Sequence, residues 1–254
     1  MYRLIMHGCN GRMGQVISGL AAADENTVIV AGVDVKDEGK NDYPVFTDIR
    51  ECDVQADVVI DFSSASALDG LLEYCAERQL PCVLCSTGLS EEQLRKVQET
   101  SLKVAVLKSA NMSLGINLLL KMLKEAAAVL GTAGYDIEIV EKHHNRKLDA
   151  PSGTALALAD SINEELDHAY HYVYDRSGRR EKRSDREIGI SAVRGGTIVG
   201  EHDVIFAGED EVITFSHSAY SRTVFAKGAL EAAKFLTGKP AGMYDMSNVI
   251  DSAL

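Results

Sequence analysis

Residues 2–14, "YRLIMHGCNGRMG", join an apolar run to three evenly spaced glycines and the start of an amphipathic stretch. Residues 2–8 read as a short strand, and residues 11–23, "GRMGQVISGLAAA", as a helix with apolar side chains at helical spacing. Gly8, Gly11 and Gly14 occupy the turn between them in a G-x-x-G-x-x-G spacing, not the commoner G-x-G-x-x-G. The spacing alone is weak, since many strand-to-helix turns favour glycine. In this position it lets backbone N–H groups approach a pyrophosphate at the positive end of a helix. Residues 27–34, "TVIVAGVD", supply a second strand and complete a β-α-β unit. Asp34 closes that strand about twenty residues past the turn, where a carboxylate accepts hydrogen bonds from an adenosine ribose. The bland alternative for Asp34 is a solvated strand end.

The same grammar continues outward. "ADVVIDFS" (56–63), "PCVLCST" (81–87) and "KVAVLKS" (103–109) read as strands, separated by helices at 67–80 and 90–100. Ser90 and Gln93 stand in capping-box positions and fix the start of the second of these helices. Such alternation predicts an α/β fold, a Rossmann-like parallel sheet covered on both faces, with ligands at the carboxyl ends of its strands. After residue 113 the pattern changes: a helix at 115–130, a strand "YDIEIVEKHH" (135–144), a helix at 152–166, then successive strands between 187 and 220. A mixed or antiparallel sheet follows from that order, hence a second, α+β domain. The helix at 222–240 returns to the first. The expected division is 1–113 with 223–254 for dinucleotide binding and 114–222 for substrate binding and oligomerisation.

Composition narrows the classes. An apolar fraction of 46% with 25% charged residues describes a globular chain, and a formal charge of -12 argues against general nucleic-acid binding. No membrane-length apolar run and no signal-peptide core are present near the amino terminus, so a cytoplasmic location is expected. Five cysteines without a secretory leader suit reduced thiols. Cys82-x-x-Cys85 lies in a strand, where residues three apart face opposite ways, so core packing is preferred over redox or metal work. The mixed-sign segment "DRSGRREKRSDRE" (175–187) reads as a solvated loop.

The chemistry concentrates in "EKHHNRKLDAPSGTA", residues 141–155. A strand delivers His143 and His144 to its end, Lys147 follows in the loop, and Ser152, Gly153 and Thr154 open a helix whose first turn offers hydroxyl and N–H donors to a carboxylate. Ordinary capping by Ser152 is the bland alternative. No third ligand has zinc-site spacing, so no metal is expected. Proton donors beside an anion cradle, attached to a dinucleotide domain, point to reduction of a small polyanionic acceptor.

The string E-x-H-H-x-x-K-x-D-A-P-S-G-T, with "GCNGRMG", "VIDFS", "SANMSLGIN" and most of 188–236, resembles the dihydrodipicolinate reductases of lysine and diaminopimelate biosynthesis, and the likeness spans nearly the whole chain. The resemblance implies that His143 and Lys147 are the acid–base residues. It also implies that His144 touches a small cyclic dicarboxylate, and that Ser152, Gly153 and Thr154 hold one of its carboxylates. Cofactor contacts implied in the same way are Gly8, Cys9, Asn10, Gly11, Arg12, Met13, Asp34, Cys85, Ser86, Thr87, Ser109, Ala110, Asn111 and Met112. The chain departs from the family's frequent G-T-T-G at Cys85-Ser86-Thr87-Gly88, a change that leaves backbone contacts possible. NADH or NADPH, modestly favouring NADH, and a homotetramer built through the second domain's sheet complete the expectation. Another two-domain nicotinamide dehydrogenase and a non-enzymatic dinucleotide sensor are the rival readings.

Overall fold

The computed structural model describes residues 1–253. The chain forms two compact units, Met1–Leu114 with Thr223–Leu254, and Gly115–Arg222.

In the first unit, strands β1 (Tyr2–His7), β2 (Thr27–Val33), β3 (Val45–Phe46), β4 (Val58–Asp61), β5 (Cys82–Leu84), β6 (Ala105–Lys108) and β12 (Gly242–Tyr244) form one sheet in the order β12-β6-β5-β4-β1-β2-β3. Every pairing is parallel. The strand order reverses between β1 and β4, which opens a crevice beyond their carboxyl ends. Two apolar layers cover the sheet. On one face Leu4, Met6 and Ile60 pack with α1 (Arg12–Ala22) and α6 (Thr223–Leu236) through Ile17, Ala226 and Ala229. On the other, Ile5 and Val59 meet Leu71 and Cys75 of α2 (Leu68–Arg78) and Val97 of α3 (Glu91–Ser101). Burial on both faces explains why these strands read as continuous apolar runs rather than alternating ones. Cys82 belongs to the second layer and Cys85 packs against the first, opposite faces as the strand geometry requires; all five cysteines are free thiols. The capping box of α3 forms, with Gln93 N donating to Ser90 Oγ and Ser90 N donating to Gln93 Oε1.

The second unit holds α4 from Gly115 onward (helix Leu114–Leu130), β7 (Asp136–His143), α5 (Gly153–Glu165), β8 (His171–Val173), β9 (Glu187–Arg194), β10 (Gly200–Ala207) and β11 (Val212–Ala219). Its sheet runs β11-β10-β7-β9-β8: β10 is antiparallel to both neighbours, whereas β7–β9 and β8–β9 are parallel. Although consecutive in sequence, β9 and β10 do not pair, because β7 lies between them. Their connection therefore passes over the end of β7, where Gly195 N donates to His143 O at 2.9 Å and Asn145 N donates to Gly196 O. Gly196 has φ +50°, a left-handed conformation that costs glycine little. One sheet face packs on α4 and α5 through Ile137, Ile139, Val204, Phe206, Leu123 and Leu158.

The 175–187 segment is not simply solvated. Arg176 pairs with Glu187 and with Glu138, and Arg183 pairs with Asp136 and Glu138 while donating to the carbonyls of Ile137 and Glu187. Three of its six cations, Arg176, Arg179 and Arg183, are paired with carboxylates on β7 and β9, and of these Asp136 and Glu138 lie some forty residues away in sequence. The helix Met246–Ala253 (α7) and the short strands β3, β8 and β12 add to the elements read from sequence.

Candidate active site

The first site grows from the β1–α1 turn. Gly8 has φ +82°, and a Cβ on it would lie 2.7 Å from Phe62 O; one on Gly14 would lie 2.2 Å from Gly8 O and 2.6 Å from Cys9 O. Both positions demand glycine. Gly11, the N-cap of α1, brings no side chain to the helix's first-turn N–H groups. The Asp34 carboxylate accepts from Asn10 N at 2.8 Å and from Val35 N at 2.8 Å, which fixes it at the rim of the turn. Gly8, Asn10, Gly11 and Asp34 line a cavity of about 720 Å³, together with residues from the ends of β1 and β4 such as His7 and Ser63. That volume, bounded by a helix N-terminus and a carboxylate, suits a dinucleotide: pyrophosphate at the turn, ribose at Asp34.

The remaining residues expected at the cofactor occupy varied environments. Cys9 is fully buried, and burial with the nearby Asp34 charge raises its thiol to about 11, which leaves only its backbone for a ligand. Ser86 Oγ donates a short bond to Asp61, which also accepts from Ser63 Oγ at 2.6 Å. His7 Nδ1 lies 2.8 Å from the same carboxylate, off the angle of a hydrogen bond. Burial alone would raise Asp61, but His7, Ser63 and Ser86 bring it below its ordinary value. This cluster ties the ends of β1, β4 and β5 together beneath the turn. Ser109 and Ala110 border a different hollow, with Lys108 and Met243. Met112 is in the core, its carbonyl 1.6 Å from where a Cβ on Gly228 would stand. Arg12, Met13, Cys85, Thr87 and Asn111 are not among the residues lining either hollow.

The second site is built on β7. Alternation along the strand turns Glu141 and His143 toward α5, with 0% and 8% of their surface exposed. Glu141 is the hub. Its carboxylate lies 2.6 Å from His143 Nδ1, accepts from both Arg194 Nη1 and Nη2 at 2.7 Å, and accepts from Ser152 N at 2.9 Å. Burial would raise Glu141, yet Arg194, His143 and the Ser152 N–H hold it below the usual carboxylate range. Breaking such a buried pair from one side costs about 3–5 kcal/mol, so Arg194 is what allows Glu141 to stay ionised there. His143 is lowered, first by burial and then by the Lys147 and Arg194 charges, against the opposing pull of Glu141. His202 stands edge-on to it, ring centroids 5.2 Å apart, and burial drives His202 down to about 4.

Lys147 pairs with Asp149 at 2.9 Å and keeps 23% side-chain exposure in the loop. His144 is half-buried, its Nδ1 without a hydrogen-bond partner among the described residues. Ser152, by contrast, is spent inside the unit: its N–H serves Glu141, and its Oγ accepts from Ala155 N and lies 3.1 Å from His202 Nε2. The bland capping role is thus real, and it leaves the exposed backbone of Gly153 at that helix end, with half-buried Thr154 beside it. Sequence reading left Glu141 without a role and missed Arg194 and His202. No group of three metal-ligating side chains occurs among the described residues.

Fold and site together define a Rossmann-type, nicotinamide-dependent oxidoreductase with a separate α+β unit. Residues 2–112 match the family model described as "Dihydrodipicolinate reductase, N-terminus", and residues 115–250 the one described as "Dihydrodipicolinate reductase, C-terminus". The latter runs past residue 222 into the helices that fold with the first unit. Curated relatives named 4-hydroxy-tetrahydrodipicolinate reductase include one from Caldanaerobacter subterraneus subsp. tengcongensis, 56% identical, covering 98% of each chain. Another, from Clostridium tetani, is 50% identical and covers 99% of this chain and 98% of its own. A solved structure titled as a dipicolinate-bound dihydrodipicolinate reductase from Paenisporosarcina sp. TG-14 superposes with a TM-score of 0.80 at 27% identity, covering 98% of this chain and 99% of that one. A probable dehydrogenase from Thermotoga maritima, 14% identical with a TM-score of 0.62 and 99% and 93% covered, shares the fold. The chain belongs to the dihydrodipicolinate reductase family.

Proposed function

We propose that this protein reduces 4-hydroxy-tetrahydrodipicolinate to tetrahydrodipicolinate, a step of lysine and diaminopimelate biosynthesis, using NADH or NADPH. The observation that carries the proposal is the continuous segment 141–154. It holds a buried, carboxylate-bound histidine, a loop lysine and a helix N-terminus in one unit. The relatives' shared name and the dipicolinate in the related structure's title support a small cyclic dicarboxylate as the substrate.

The nicotinamide, when bound, supplies a hydride. Gly8 through Met13 and Asp34 would hold the dinucleotide, with residues 85–87 and 109–112 nearer its reactive end. The rest falls to side chains. Negative charge spreads toward the ring nitrogen of the acceptor as it is reduced, and a positioned cation lowers that cost. Lys147 provides the charge and His143 the proton, and the 4-hydroxyl leaves as water. Gly153 N–H and Thr154 grip one carboxylate at the positive end of α5, with His144 beside it. Asp34 favours an unmodified ribose, so NADH is modestly preferred; Lys36, 69% exposed and paired with Glu38, offers a 2'-phosphate a weak counter-charge.

A cytoplasmic homotetramer assembled through the β7–β11 sheet completes the proposal. Support comes from that sheet's second face, where half-exposed Lys142, Glu201 and Asp203 alternate with the buried positions. Among the described residues no helix is long and apolar enough to cross a membrane. The direct test is to mix the protein with NADH and freshly condensed pyruvate and aspartate semialdehyde. NADH should be consumed, and pyridine-2,6-dicarboxylate should compete with the condensation product. Absence of turnover with either cofactor removes the proposal, and sedimentation as a monomer at micromolar concentration removes the assembly.

A further inference from the structure

Glu141 touches more of the second site than its hydrogen bond to His143 suggests. Through Ser152 N it holds the first turn of α5, at 2.9 Å. Through Arg194 it reaches the loop, because Arg194 Nη2 also donates to Asp149 O at 2.6 Å, and Asp149 is the ion-pair partner of Lys147. The carboxylate and guanidinium are 53 residues apart in sequence but sit on β7 and β9, where His143 and Arg194 are direct cross-strand partners. A forked guanidinium against a carboxylate constrains direction as well as distance, which a lysine in its place would not do.

We propose that Glu141 and Arg194 act together as the positioning pair of this site, fixing His143, the Lys147 loop and the α5 N-terminus in one mutual register. The ionised carboxylate can only accept, so His143 must carry its proton on Nδ1 when neutral. Its Nε2 then becomes the working nitrogen. That atom lies over Gly200, at 3.1 Å from where a Cβ would stand, so the glycine is what keeps a side chain from crowding it. The groups facing His143 are the charged Glu141 on its own strand, Lys147 on the loop and Arg194 on β9, and the titratable His202 on β10, which burial keeps neutral near pH 7. Of these only Glu141 favours the imidazolium, so its negative charge opposes the lowering that burial and the two cations impose on His143.

The inference rests on His143 being the proton donor, and its test separates the two. Long-range ¹H–¹⁵N correlation spectra of the intact parent protein should show neutral His143 as the Nδ1–H tautomer. The Nε2–H tautomer would overturn the pair's role whatever the enzyme assay gives, and a parent that shows Nδ1–H but no turnover sinks the proposed function alone. In Glu141→Gln, kcat should fall at least tenfold at neutral pH with the dissociation constant of NADH unchanged. The pH above which kcat declines should move down by about one unit, as expected on removing an adjacent opposite charge. Arg194→Lys keeps the charge but loses the fork, and should raise the KM for the dicarboxylate as well as lower kcat. Parent-like kcat, KM and pH profile in both folded variants would overturn the proposal. If neither folds, the parent's tautomer decides.

Discussion

Two of the strand-to-helix turns of this molecule, those after β1 and after β7, are built by opposite means. The turn after β1 is made of absent side chains: Gly8, Gly11 and Gly14 let backbone pass within contact of backbone, and the helix end is left bare. The turn after β7 is made of present ones. Glu141, His143, Lys147 and Ser152 crowd the strand end and the helix start, and their order depends on Arg194 from another strand. The first turn can cradle an anion through backbone N–H groups alone. On the proposed reading the second also delivers a proton and a charge, and the geometry behind that reading is a buried carboxylate neutralised by a distant guanidinium. A site built of backbone fails by collision, and one built of side chains fails by loss of register.

That contrast can be broken from either side. The largest effect is expected at Gly14. An alanine Cβ 2.2 Å from Gly8 O cannot be housed without moving the turn, so Gly14→Ala should weaken NADH binding by ~10²-fold or more, a loss of about 2.7 kcal/mol. Titration of cofactor fluorescence reads this directly, and affinity within threefold of the parent would show that the turn tolerates a side chain. The smallest effect is expected at Lys36, exposed and already paired with Glu38. Lys36→Ala should reduce kcat/KM for NADPH by less than ~5-fold, the scale of an exposed ion pair of under about 1 kcal/mol, and leave NADH untouched. If NADPH instead proves favoured more than about tenfold in the parent, Asp34 is not the residue that controls the choice.

The same contrast explains what could be read from sequence. Glycines at 8, 11 and 14 and a carboxylate at 34 are local signals, because steric demands on backbone are written at the positions that meet them. His143, Lys147 and Ser152–Thr154 stand out as candidates because they share one short string of sequence. Arg194 and His202 were not, since their partners lie 53 and 50 residues away and neither stands in a motif of its own. Glu141 sat in the quoted string yet carried no role until its burial and four hydrogen bonds were seen. Strands β3 and β12, of two and three residues, are too short to show a period, and they are held by pairing with β2 and β6. The order β10-β7-β9 escaped for a related reason: adjacent strands in sequence suggest a hairpin, and only the long-range register of β7 separates them.

If the β7 turn performs chemistry and the β1 turn only binds, loss of Lys147 should cost turnover and spare the cofactor. The deciding measurement is turnover by Lys147→Ala at saturating NADH and substrate, taken beside its NADH dissociation constant. In this variant kcat should fall by ~10²-fold or more, the scale for a lost electrostatic stabiliser or acid, with the dissociation constant of NADH within twofold of the parent. A kcat within threefold of the parent would contradict it.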